Sequence, residues 1–379
     1  MSGLYIHIPF CKQACSYCDF YFITRQQHKQ DFVDELVEEI QAKKDTRFTD
    51  EPVRTIYFGG GTPSLLSPGQ VEDVLDAIHQ VFDVQTEEIT LEMNPDDVSK
   101  DYLRGLKLAG ITRASMGVQS FNADLLDFMH RAHTADEALK CLEILEASKF
   151  EVFTVDLIYG NPGQSLNTLE HDLDTLLQFN PPHVSAYSLT VEPDTRLGKQ
   201  VKLGRIAPPE NDTVADHFDL VTEKLSAHGI NQYEVSNFAR SGSEAVHNSN
   251  YWNHENYLGL GPGAHSFWWN EDRKSANRWS NKADIKAYLK KAHETPYELE
   301  RLNLPNLAEE RLMLRLRTKK GVSRKVLKSL YKFEFSSAQI NYLQKMEQEG
   351  KVMVDENIRL TPKGLKIADA ILLDLVTAK

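Results

Sequence analysis

Three of the four cysteines in this 379-residue chain fall within eight residues: Cys11, Cys15 and Cys18, in the stretch YIHIPFCKQACSYCDFY. Their spacing, C-x3-C-x2-C, sets three thiolates on one tight loop, where they can hold a soft metal centre. An iron–sulfur cubane ordinarily takes four cysteine ligands. With three supplied, one iron keeps an open position, and open positions mark reactive centres where closed ones mark structural sites. Two blander readings stand beside this one. The thiols could bind zinc with His7 as fourth ligand, or simply pack in a core. Zinc sites usually pair two short hooks from separate segments, whereas these cysteines follow directly on the apolar run LYIHIPF.

Clustered cysteines in a chain with no export signal point to a reducing compartment and metal chemistry. The N-terminal MSGLYIHIPF has no basic region, long apolar region or cleavage site. Nor is there a run of about 18 apolar residues to span a bilayer. The expected location is the cytoplasm. A net charge of −12 disfavours non-specific binding to nucleic acid or an anionic membrane. A hydrophobic content of 41% is enough for a sizeable core.

Short apolar runs alternate with longer amphipathic ones. The pattern predicts strands at 3–9, 55–58, 89–93, 113–118, 151–158 and 184–190, with a further extended run at 232–237. It predicts helices at 24–44, 68–82, 100–109, 135–148, 166–178 and 212–228. Ser67 and Pro68 read as cap and first residue of the second helix, and Gly110 as the left-handed end of the third. Strand–helix alternation means a parallel sheet with right-handed crossovers. Six units suit an α/β fold of the partial (β/α)6, TIM-like kind or a doubly wound sheet, and a full eight-unit barrel does not fit. This unit covers residues 1–240. Residues 241–300 lose the periodicity and read as a connecting segment rich in His, Asn and aromatics. Residues 301–379 read as three helices, a hairpin and a last helix, a small winged-helix-like domain. From 300 on, 16 Lys/Arg face 10 Asp/Glu. That surplus is small, and without an Arg-rich stripe it makes a lid or docking module a better reading than a DNA reader.

Barrels of this kind keep their sites at the C-terminal ends of the strands. On that rim lie the cysteine loop, Gly59-Gly60-Gly61-Thr62, Glu92, Gln119 and Asp156. Each has a plain reading: a turn, a strand end, a paired carboxylate. A carboxylate inside the apolar strand FTVDLIYG is costly unless paired or ligating. Together they suggest a polar cofactor across the barrel mouth, with backbone groups of 59–62 on its amino-acid moiety and Glu92 on ribose hydroxyls.

The three-cysteine spacing followed by GGGTPS resembles the radical S-adenosylmethionine superfamily. The segments YIHIPFC, YFGGGTPS, LEMNPDD, SMGVQSF, HRAHT, VDLIYGNPGQ and LGLGPGAHS resemble the branch that holds oxygen-independent coproporphyrinogen III dehydrogenase and the HemW-type haem chaperones. The resemblance implies that Cys11, Cys15 and Cys18 ligate a [4Fe–4S] cluster whose open iron takes S-adenosylmethionine. It implies that Tyr5, Gly60, Gly61, Thr62 and Glu92 hold this cofactor. Gln119, Arg131 and Asp156 match positions lining the deeper cofactor or substrate pocket. The chemistry implied is reduction of the sulfonium to methionine and a 5′-deoxyadenosyl radical, with electrons from an outside donor.

Within that branch, the dehydrogenase pattern has a further cysteine where this chain has Phe20, and a substantial segment ahead of the cluster where this chain has ten residues. His247-Asn-Ser-Asn-Tyr251-Trp252 resembles the HNxxYW motif of the haem chaperones. There His247 is a candidate iron ligand, with Tyr251 and Trp252 against the porphyrin face. His265, in GPGAHSF, is a rival ligand or a residue of a cofactor loop. The expected function is haem carriage to acceptor haem proteins, including membrane-bound respiratory ones, with transient membrane docking. The alternatives are oxidative decarboxylation of coproporphyrinogen III to protoporphyrinogen IX, an iron–sulfur sensor that binds DNA, and a zinc protein.

Overall fold

The computed structural model describes residues 2–150, 152–291 and 298–378. Six parallel strands form its centre: β1 (Ser2–Ile8), β2 (Val53–Gly60), β3 (Val84–Met93), β4 (Arg113–Gln119), β5 (Val152–Tyr159) and β6 (His183–Ser188), hydrogen-bonded in that order. The expected start of the fifth strand, Glu151, lies outside the described residues. Helices cross over between successive strands, giving the partial barrel the alternation predicted. Strand period explains which residues face where. In β1, Leu4, Ile6 and Ile8 are fully buried beneath the helices, while Tyr5 and His7 lie on the opposite face, towards the lumen.

Local signals hold where they are strongest. The helix Pro68–Val81 begins with a capping box between Ser67 and Gln70. The helix Lys100–Ala109 ends at Gly110, with φ of 104°. The first helix differs from expectation, starting at Lys29 and not at residue 24. The Cys11 N–H donates to the Ile23 carbonyl and the Ile23 N–H to Pro9. Residues up to Ile23 are therefore tied to the end of β1 and belong to the cysteine loop.

The sheet does not stop at six strands. On one side β6 is joined by β8 (Asn237–Ala239) and β7 (Asn231–Gln232), both antiparallel additions. On the other, β9 (Asn256–Leu260) runs parallel to β1, followed by β10 (His265–Trp269), β11 (Ser275–Ser280) and β12 (Glu298–Asn303). Residues expected to be an irregular connector thus continue the sheet, apart from 292–297, which lie outside the described residues. Strands β9 to β11 show no alternation because both faces are covered, while β12 is exposed over residues 298–301. Trp268 and Trp279 pack into the barrel core, while Phe267 and Trp269 pack into a second core shared with the C-terminal residues.

Those residues form the helix Leu304–Leu316, β13 (Val322–Ser323), two helices (Arg324–Leu330 and Ser337–Gln348), β14 (Val352–Val354) and β15 (Asn357–Leu360). The order helix, strand, two helices, two strands, with the sheet β13-β15-β14, is winged-helix-like. Ser337–Gln348 carries one lysine, Lys345, and no arginine. It offers no cationic face for a DNA groove. The expected last helix at 363–375 is broken into Pro362–Leu365 and Ala368–Thr377. Among the described residues no helix is long and apolar enough to cross a membrane.

Candidate metal and cofactor site at the strand ends

Cys11, Cys15 and Cys18 are half-buried and line one cavity of about 500 Å3 at the C-terminal ends of the strands. The same cavity takes in Gly60, Gly61 and Thr62 after β2, Glu92 on β3, Gln119 on β4, Asp156 on β5, and Arg131. Ten sequence-predicted positions therefore meet at one place. Tyr5 lines an adjoining cavity of about 700 Å3, which shares Tyr57, Gly60 and Glu92 with the first.

The glycines are required by close approach. A Cβ on Gly61 would stand 2.7 Å from the Phe10 carbonyl oxygen and 2.8 Å from that of Ile8. On Gly60, where φ is 104°, it would strike the His7 ring at 2.6 Å. The end of β2 thus packs directly on the entry to the cysteine loop. Thr62 Oγ1 donates to Cys11 Sγ at 3.5 Å.

Burial pushes the Cys11 thiol up to about 11 and the Cys18 thiol up to about 12. Thiolates here are costly until a metal centre neutralises them. His7 does not join them. Its Nε2–H donates to the Tyr21 carbonyl at 2.9 Å and its Nδ1 meets the Tyr5 hydroxyl at 3.3 Å. Burial, reinforced by His265, drives it down to about 4, so it is neutral. Among the described residues no His, Cys, Asp and Glu side chains converge as ligands to a single ion. Thiols set around a shared cavity suit a polynuclear centre, in which each cysteine takes its own iron.

Arg131 sits behind the thiols. Its Nη1 donates to Cys15 Sγ and to the Tyr17 hydroxyl, both at 3.4 Å. Its Nη2 donates to Asn94 Oδ1 at 2.7 Å and to the Gly117 carbonyl at 2.9 Å. Its Nε is buried without a partner, a donor still available to a ligand. Gln119 ends β4 with φ of 67°, a left-handed turn that brings it to the cavity. Asp156 is pushed up to about 6 by burial, against hydrogen bonds from Ser185 and Ser115 and the charges of Arg131 and Arg113.

Glu92 accepts from the Tyr57 hydroxyl at 2.7 Å. Burial first, then the neighbouring Asp156, raises it to about 7, against the Tyr57 hydrogen bond. The folded form therefore holds a proton that the unfolded chain releases near pH 4–5. Stability is full below that range, falls as pH climbs to about 7, and is flat above it. Cavity water reaches part of the side chain, which trims the effect to about 1–2 kcal/mol. Cofactor-free Glu92→Gln protein should melt higher than wild type at pH 8 and equally at pH 4. Equal melting temperatures at both would remove Glu92 as the strained group.

His247, Tyr251 and Trp252 lie on the helix Val246–Trp252, beneath the lumen. Glu88 anchors this helix, accepting from the backbone N–H groups of Val246 and His247, each at 3.0 Å. Glu88 also pairs with buried Arg113 at 3.3 Å. His247 is itself buried, with Nδ1 2.8 Å from Thr55 Oγ1 and Nε2 2.8 Å from the Tyr251 hydroxyl. Both ring nitrogens are occupied, so the helix must move before an iron can reach them. Tyr251 lines the larger cavity; His247 and Trp252 line neither.

Several supporting residues escaped the sequence reading: Tyr17, Tyr57, and the Glu88–Arg113 pair. Tyr57 was within reach, since period two from Gly59 turns it inward. The pair was not, because 25 residues and a helix separate its members.

A model of the Radical SAM superfamily matches residues 5–176. The chain is 36% identical to the haem chaperone HemW of Bacillus subtilis, over 96% of each chain. It is 35% identical to HemW of Lactococcus lactis, over 97% of this chain and 95% of that one. The solved structure of Escherichia coli coproporphyrinogen III oxidase (HemN), a radical SAM enzyme, superposes with a TM-score of 0.83 at 24% identity, covering 99% of this chain and 90% of that one. At that identity the likeness speaks for the fold.

Proposed function

This chain belongs to the HemW family within the radical S-adenosylmethionine superfamily, and from that membership we propose that it carries haem, binding it and handing it to acceptor haem proteins. The observation that carries the reading is similarity to a haem chaperone that runs end to end, over 96% of both chains. In this reading Cys11, Cys15 and Cys18 hold a [4Fe–4S] cluster. Tyr5, Gly60, Gly61, Thr62 and Glu92 hold S-adenosylmethionine, and Gln119, Arg131 and Asp156 line the deeper pocket. When bound, the cluster supplies an electron, delivered by an outside donor, to the sulfonium.

The chain's own residues do the rest. Arg131 places a fixed positive charge beside Cys15. Glu92, held by Tyr57, presents a carboxyl oxygen to hydroxyl donors. The half-enclosed cavity limits water around both. Phe20, 62% exposed, reaches both cavities at the position where the dehydrogenase pattern has a cysteine. This favours carriage over porphyrinogen chemistry. The work is done in the cytoplasm, with transient docking at membranes that hold respiratory acceptors.

The test is transfer. Cluster-reconstituted, haem-loaded protein is mixed anaerobically with the apo form of a b-type respiratory cytochrome in vesicles. The cytochrome's Soret band should grow faster than from free haem. Failure to bind haem, or vinyl product from coproporphyrinogen III in the presence of S-adenosylmethionine, would overturn the reading.

A further inference from the structure

Haem as cargo asks for an apolar wall, cations for two propionates, and a ligand for iron. The larger cavity, about 700 Å3, offers all three, while His247 is shut away. Its volume lies in the usual range for small-molecule pockets. One wall is a row across the sheet. Arg278 on β11 stands opposite Phe267 on β10, and Phe267 opposite Tyr257 on β9. Tyr251 packs edge-on against Tyr257, their ring centroids 4.7 Å apart, extending the aromatic surface. The helix Leu304–Leu316 and Arg317 close the far side.

The cavity has two histidines. His254 is buried, with Nδ1 on the Tyr331 hydroxyl and Nε2 on Glu310. His265 opens β10, is exposed, and among the described residues has no side-chain hydrogen bond. It lies on the same face as Phe267, two residues on. The strand beside it contributes Gly259, where a Cβ would stand 2.1 Å from the His265 carbonyl oxygen. No side chain therefore fills the position between His265 and Tyr5, which pairs with Gly259 across β1 and β9. Arg278 is paired with Glu300 and Glu310, and Arg317 with Asp369, which is 86% exposed. Glu300 and Asp369 face solvent, and exposed pairs of this kind are weak, so a propionate can take their place on Arg278 and Arg317, while the part-buried Glu310 stays on Arg278 and His254.

We propose that haem occupies this cavity, with His265 on the iron and Arg278 and Arg317 on the propionates. This rests on the haem-carrier reading above and names its site. Hemin is titrated into cluster-reconstituted full-length protein and read as difference spectra against the haem-free form, for wild type, His265→Ala, His247→Ala and Arg278→Gln/Arg317→Gln. Wild type and His247→Ala should share one histidine-ligated Soret band. His265→Ala should lose it and regain it on adding imidazole, which only a folded cavity can do. The double arginine variant should keep the band and bind about tenfold or more weakly. If His265→Ala matches wild type in band and affinity, the assignment fails and the carrier reading stands. If wild type takes up no haem, both fail.

Discussion

Anaerobically reconstituted Cys15→Ala protein is expected to emerge from desalting pale, with little bound iron or sulfide and an unchanged thermal melt. The loop offers three thiols to the cavity, and two cannot anchor a cubane that already lacks one protein ligand. Loss of an outer partner of a metal ligand typically costs about 10–100-fold in affinity, and loss of a ligand should cost at least as much. The chain holds no spare thiol. Cys141 is buried in the helix Ala135–Ser148 with its Sγ 3.4 Å from Met116 Sδ, and burial pushes it up to about 12. The fold should survive because the cysteine is half-exposed and the loop is closed by backbone bonds at Cys11 and Ile23. Wild-type iron and sulfide in the variant would strike Cys15 from the ligand set. Stoichiometric zinc in the wild type, with no sulfide, would do the same to the cluster.

How far the sequence reaches depends on the range of the signal. The cysteine spacing, the glycine run and the strand-end carboxylates are each local, and the rim of a parallel sheet gathers local features without further instruction. Tyr57 and Asn94 support the site through contacts that only the folded register creates, with Glu92 and Arg131 respectively. The aromatic stretch before residue 300 misled for a physical reason. Strands β9 to β11 have a core on each face, so the alternation that marks a half-buried strand is absent. His247 shows the same limit at the level of one residue. A motif containing His suggests a ligand, but Thr55 and Tyr251 already hold both ring nitrogens; Thr55 is remote in sequence, and Tyr251, four residues on, reaches the ring only because the stretch folds as a helix.

Glu88→Ala is expected to destabilise the cofactor-free protein by about 3–5 kcal/mol, the usual cost of stripping one member from a buried ion pair, read as a lower urea midpoint. Glu88 does more than neutralise Arg113. It also accepts the first N–H groups of the helix that carries His247, while Arg113 donates to the Ser243 carbonyl just ahead of that helix at 3.1 Å. The two effects can be separated. If charge pairing were the whole role, Glu88→Ala/Arg113→Met would recover most of the loss, because an apolar pair can replace a buried ionic one. One buried and one half-buried backbone donor would still lack an acceptor, so the double variant should remain about 1–3 kcal/mol below wild type. It should also be cut faster by protease around residues 243–252, where the helix is no longer anchored. A loss under about 1 kcal/mol for the single variant would mean that Thr55, His247 and Tyr251 seat the helix by themselves, and that the pair beneath it is only one of two redundant supports.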